Sequence, residues 1–279
     1  MVLRRSGKGQ SFILGLVLVF FTIATVGCGD SEPTNQNGGT DVLTDVLRVQ
    51  VPGVGAFMVP NVSAQGVLAT FNLHGSTLDR GLQHGNEFAI AAFLDPLGLP
   101  TLYVGDVSVN GNLLDTAMIP PSGSLPAFLF YYRPDPTIPG NDLDSVAFDG
   151  SLHSWTVEGN PGVGGFTFAI PSVNGDVSVS TPAVLAEVPR TQPFLIQWTG
   201  ATASDSVLLS VTDNGGTGTT IAALVTGTSH TFSAARMSAL AAGSASVEVE
   251  KIRFVLFRAA GRTYMMSSAS SDKRNILLR

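Results

Sequence analysis

Charge is scarce in this chain: Asp, Glu, Lys and Arg make up 13% of 279 residues, roughly half the usual quarter. What charge there is leans acidic, with 21 Asp+Glu against 15 Lys+Arg, a net of −6. A protein that reads nucleic acid needs a basic patch, and none is written here. The same balance argues against electrostatic adhesion to anionic lipid. Cysteine occurs once, so no disulfide can form within the chain. The motifs G-x-S-x-G and H-E-x-x-H do not occur, so no nucleophile-elbow or zinc-protease signature can be read, and no cofactor motif is present.

What is abundant is glycine, at 31 residues, together with Val, Ser and Thr on a background that is 44% hydrophobic. That composition suits an extracytoplasmic β-protein and not a helical cytosolic enzyme.

The front of the chain has three parts. Arg4, Arg5 and Lys8 form a basic start, and an apolar run follows from Phe12 to Val26. At about 15 residues that run falls short of the ~20 a membrane-spanning helix needs, so it reads as a cleaved export signal. Then come Gly27, the single cysteine Cys28, and an abrupt change to polar chain. Thr25-Val26-Gly27-Cys28 resembles the lipobox of bacterial lipoproteins, departing from it at Thr25, where leucine is usual. The resemblance implies cleavage between Gly27 and Cys28 and acylation of the Cys28 thiol. Two or more acyl chains anchor stably, where one holds only marginally. In Gram-negative lipoproteins an Asp after the cysteine tends to retain the protein at the inner membrane. Here that place is Gly29, so the resemblance implies the outer membrane. Loss of the three basic residues with the signal takes the net charge from −6 to −9.

Residues 28–41 form a flexible tether. Gly29 to Thr40 reads GDSEPTNQNGGT and offers nothing to bury against the cost of ordering.

Beyond the tether, short segments alternate with period 2. Val67, Ala69 and Phe71 share a face, and Phe194, Ile196 and Trp198 share another. Glu87 to Leu94 is more continuously apolar, as a strand covered on both faces would be. Asn110-Gly111 between apolar runs predicts a two-residue hairpin, and Ala260-Gly261 predicts a second turn. Ser233 to Ala242 predicts one helix, capped by Ser233, facing inward with Met237 and Leu240, and ended at Gly243. In the long strand Val247 to Phe257 the inward parity slips between Val249 and Ile252, which predicts a β-bulge near Lys251. A separate last strand is expected over Arg274 to Arg279.

The fold class is therefore all-β, with two β-sandwich-like domains at 42–175 and 176–279 behind a signal peptide at 1–27. The second, carrying one short helix, resembles immunoglobulin-like and fibronectin type III-like sandwiches on its strand count and on Trp198, without the antibody disulfide. An outer-membrane barrel is the competing architecture, but the aromatic girdles and regular ten-residue period it requires are missing.

Three clusters are candidates for chemistry. His74, His84 and Glu87 could converge on zinc, although the glycines flanking His84 argue against a helical ligand spacing. Asp135, Asn141, Asp142, Asp144 and Asp149 crowd one loop region, and Asp142 with Asp144 could hold calcium, which prefers oxygen ligands. Tyr131 and Arg133, beside Tyr132 and Trp155, could stack on a sugar and bond its hydroxyls. Set against these readings are solvated loops for the first two clusters and core packing for the aromatics. The leading expectation is a non-enzymatic, lipid-anchored envelope protein with a binding or structural role, its partners the membrane and a glycan or envelope protein. A carbohydrate-binding surface lipoprotein and an envelope hydrolase with a dispersed site are the alternatives.

Overall fold

A computed structural model describes residues 46–51, 55–60, 64–75, 87–94, 102–119, 127–133, 143, 146–214 and 219–279. The signal, lipobox and tether lie outside these residues, as do His84, Asp142 and Asp144. The regular structure of the described chain is almost entirely strand, 64% strand against 2% helix. In order the strands are β1 (Val46–Val51), β2 (Gly55–Pro60), β3 (Gly66–Gly75), β4 (Glu87–Phe93), β5 (Val107–Val109), β6 (Asn112–Leu113), β7 (Asp115–Ile119), β8 (Phe128–Arg133) and β9 (Leu152–Val157). Then follow β10 (Phe166–Pro171), β11 (Ser178–Thr181), β12 (Glu187–Val188), β13 (Phe194–Thr199), β14 (Ser206–Asp213), β15 (Thr220–Thr226) and β16 (Ser229–Phe232). A short helix, α1 (Ala234–Met237), precedes β17 (Gly243–Ala259) and β18 (Arg262–Leu278).

One large sheet organises the molecule, in the order β15-β14-β17-β18-β3-β4-β8-β7. Its spine is the antiparallel pair β17–β18, matched over all 17 residues of each strand and joined by Ala260 and Gly261, both at positive φ. Such a two-residue turn matches the twist of the strands it joins. β18 also pairs in parallel with β3, from Met265↔Val67 to Lys273↔Gly75. Past that point β12 takes over the same edge, Glu187 beside Leu277 and Val188 beside Leu278. Strands from both expected sandwiches therefore share one sheet, which runs across the boundary placed at residues 175 and 176.

Two smaller sheets cover one face of it, here called the front. The sheet β10-β9-β5-β6 closes a first core that includes Trp155, Tyr131, Phe93, Tyr264, Leu68 and Met266. The sheet β11-β13-β16 closes a second around Trp198, Ile196, Phe232, Leu209 and Val247. Met237 and Leu240 plug that second core from the helical segment, as their spacing predicts. The helix itself is a single turn, capped by Ser233, whose hydroxyl accepts the Arg236 N–H. Beyond Met237 the chain continues in tighter turns, Ala239 bonding back to Arg236 and Leu240 to Met237.

The register corrects two expectations. No bulge interrupts β17: pairing with β18 is unbroken from Gly243↔Leu278 to Ala259↔Arg262. The apolar parity slips because both faces of this strand are covered. Val249 points to the front core, whereas Ile252 points to the back, into a third cluster with Phe71, Phe88 and Met265. Residues 274–278 are likewise not a separate strand but the end of β18. The serine-rich stretch Ser267–Asp272, which lacks apolar alternation, stays in the ladder because its small side chains are bonded or enclosed on either side.

Candidate functional site

The two front cores do not merge. Between them runs a band of polar side chains, buried except for Arg253 at its edge and built from the middle of the long strands. Lys251 and Arg253 project from β17, Ser268, Ser270 and Asp272 from β18, and Thr70 and Asn72 from β3. Alternation puts all of them on the front face, in line with the apolar residues that enter one core or the other.

Opposite this band lies the connection from β10 to β11, and its backbone is held by the band. Arg253 Nη1 donates to the Ser172 carbonyl at 3.2 Å. Ser268 Oγ accepts the Val173 N–H at 3.2 Å, and Ser270 Oγ accepts the Val177 N–H at 3.3 Å. Asp272 Oδ2 accepts the Val179 N–H at 2.8 Å and the Ser178 hydroxyl at 3.2 Å. Asn72 Nδ2 donates to Asp176 Oδ1 at 2.9 Å. The buried residues of this connection, Ser172, Val173 and Val177, would otherwise carry unsatisfied backbone groups, so these side chains replace the ladder bonds that a strand would make.

Lys251 is the central cation. Only 3% of its surface is exposed, and its Nζ donates to the carbonyls of Asn174 and Gly200, both at 2.7 Å. Burial pulls its pKa down from the ordinary lysine value, while the charges of Asp205 and Asp176 oppose that shift. The ammonium thus ties the β10–β11 connection to the turn after β13.

His153, from β9, marks the other end of the band and is fully buried. Its Nε2 faces the Ala147 carbonyl at 2.9 Å, and its Nδ1 faces the Thr70 hydroxyl at 2.8 Å. A carbonyl can only accept, so Nε2 carries the proton and Nδ1 accepts from Thr70. Burial lowers the imidazole pKa below its ordinary value, with the Ala147 bond and the Asp149 charge opposing, and the ring meets Phe148 edge-on. With both ring nitrogens engaged, this histidine anchors the Ala147 loop to the large sheet.

The positions singled out in sequence fare differently. Tyr131 is 1% exposed and belongs to the first core, which corrects its assignment to a sugar-stacking surface. Its ring meets Phe93 edge-on, and its hydroxyl accepts the buried Val104 N–H at 2.7 Å. A tyrosine suits a core position when its hydroxyl finds such a partner. Trp155 is fully enclosed as well, so neither ring has a face open to a ligand. Tyr103 is the exposed ring of this corner, 57% accessible and stacked at 6.3 Å over Tyr131. Arg133 is half-buried and donates to the Leu113 carbonyl at 3.0 Å.

Of the acidic loop, Asp149 lies among the described residues. It is exposed and accepts the Ser151 N–H at 2.9 Å, which holds its carboxyl below the usual range. This is the local turn chemistry of an Asx residue. The calcium pair Asp142 and Asp144, with Asp135 and Asn141, lies outside the described residues. So does His84 of the zinc reading, while His74 falls near the end of β3 and Glu87 opens β4. Among the described residues no three His, Cys, Asp or Glu side chains group as metal ligands would, and no helix is long and apolar enough to cross a membrane.

None of the sequence-based expectations points to the polar band. One signal was present: a long strand whose apolar parity breaks at a lysine, followed by a second strand of serines closed by an aspartate. No protein-family model matches this chain, and no curated protein is significantly similar to it.

Proposed function

We propose that this chain is a lipid-anchored protein of the cell envelope with a non-enzymatic binding or structural role, directed to the outer membrane. The observation that carries the reading is the placement of the single cysteine. Cys28 follows a basic start, an apolar run of export-signal length and the small residue Gly27, and a polar tether follows it. Two or three acyl chains on that residue would anchor the β-structured body stably.

The non-enzymatic half of the reading draws support from how three of the buried ionisable groups are used. His153, Lys251 and Asp272 direct their hydrogen bonds to backbone groups and to Thr70 and Ser178, as parts of the joint between the cores. A general acid, base or nucleophile needs a free lone pair or proton within reach of a substrate.

Metabolic labelling with a fatty-acid analogue tests the anchor. The wild-type protein should incorporate label and sediment with membranes. Cys28→Ala should take up none and shift to the soluble fraction. Label retained at wild-type level in Cys28→Ala refutes the anchor, and substrate turnover by the purified protein refutes the non-enzymatic role.

A further inference from the structure

The back of the large sheet carries a third apolar cluster, led by Phe71, Phe88, Ile90, Phe130, Ile252 and Met265. None of these is more than 5% exposed, and Phe88 and Met265 are fully buried. Every residue packed against the cluster among the described residues comes from the same sheet or from Ala64 just before it. Strands of one sheet stand side by side and leave the outer ends of their side chains open. Burial this complete therefore requires a further layer on the back face.

We infer that this layer is the N-terminal hairpin β1–β2. Three observations converge on it. First, among the described residues the hairpin pairs only with itself, as a two-stranded sheet, and an isolated two-stranded hairpin is marginally stable in water. It needs an apolar surface to rest on. Second, its register, from Val46↔Pro60 to Val51↔Gly55, assigns Leu47, Val49, Val51, Phe57 and Val59 to one side. That side is wholly apolar, whereas the other carries Arg48 and Gln50. The segments 76–86 and 134–142 are polar, and 95–101 and 120–126 are broken by prolines, so none offers such a stripe. Third, Pro60 is joined to Ala64 by residues 61–63, a reach of at most about 14 Å. Ala64 itself packs against the third cluster.

The hairpin is thus the cover of the third core, and it follows the tether directly in the chain. The inference does not depend on lipid at Cys28.

A photo-crosslinker tests the placement in the full-length chain. With p-benzoyl-phenylalanine replacing Phe57, irradiation should join residue 57 to peptides of its own chain that carry Phe71, Phe88, Ile90 or Met265. Cross-links to β9 or β10, to a second copy of the chain, or to none of these positions overturn the inference. In a second measurement, Val49→Asp should lower the midpoint of urea unfolding and raise the binding of an apolar dye. An unchanged midpoint would also overturn it.

Discussion

Lowering the pH through the histidine range should destabilise this fold by way of His153. Its Nε2–H is committed to the Ala147 carbonyl, and its Nδ1 accepts from Thr70 inside a site with no solvent exposure. A proton added at Nδ1 would put a donor where Thr70 now donates, and a charge where water cannot reach it. Burial accordingly holds the pKa below the ordinary value of about 6.5. In the window between the folded value and 6.5, the unfolded chain binds a proton that the folded chain refuses. Stability is therefore complete above about pH 6.5 and falls as the pH drops below it. One proton sets a limiting slope of about 1.4 kcal/mol per pH unit, against a total of roughly 5–15 kcal/mol for a folded protein.

The control is His153→Gln, which keeps an N–H for Ala147 and does not titrate. Urea unfolding would be measured at several values between about pH 7.5 and 5.5, where histidine changes charge. Tryptophan emission reports the transition. Trp155 sits in the first core and Trp198 in the second, so each core reports separately once the other indole is replaced by Phe. The wild type should lose stability across this window more steeply than His153→Gln. Parallel pH profiles would refute the assignment, since the carboxylates and the other histidines are shared by both proteins.

Three further outcomes follow from the packing. Tyr131→Phe leaves the buried Val104 N–H without its acceptor and should cost about 1–3 kcal/mol, whereas Tyr264→Phe, in the same core, removes a buried hydroxyl with no partner among the described residues and should be neutral or stabilising by about 1 kcal/mol. Urea midpoints of the two variants give the contrast directly, and equal losses would contradict it. Asp272→Ala orphans the Val179 N–H and should cost about 2–3 kcal/mol, with most of that recovered in Asp272→Asn, which keeps an acceptor oxygen; thermal melts of the pair would check this. Gly200→Ala would drive a Cβ into the Asp176 carbonyl oxygen at a φ of +84°, and should cost at least about 2 kcal/mol in the same assay.

Much of the local structure was legible. Asn110-Gly111 turns as its residue types favour and Ala260-Gly261 turns at its glycine, with positive φ at all four positions. Phe194, Ile196 and Trp198 face inward while Leu195 is exposed, as strict alternation requires. Glu87–Phe93 is covered on both faces, as its continuous apolar run implies. These features depend on the local backbone and on one strand's own pattern, and the sequence states both directly.

The polar band was not legible, and neither was the role of Tyr131. An aromatic on an alternating strand has two faces to choose from, and only the partner strands decide which is covered. Here the Val104 N–H, 27 residues away, gives the Tyr131 hydroxyl a buried partner. The bulge expected at Lys251 failed for a related reason: a parity rule presumes one covered face, and this strand has two.

What the sequence determined by itself was therefore the β class, the turns and helix cap, and the inward face of each singly covered strand. Tertiary structure alone decided that β18 runs beside β3, Met265 next to Val67, so that one sheet joins both halves of the chain. It also decided that Lys251 meets the β10–β11 connection and Asp272 the start of β11 between two cores, with His153 closing the end of the band. A parallel pairing across such a separation leaves no local signature, because the contacts that stabilise it exist only after the chain has closed the loop.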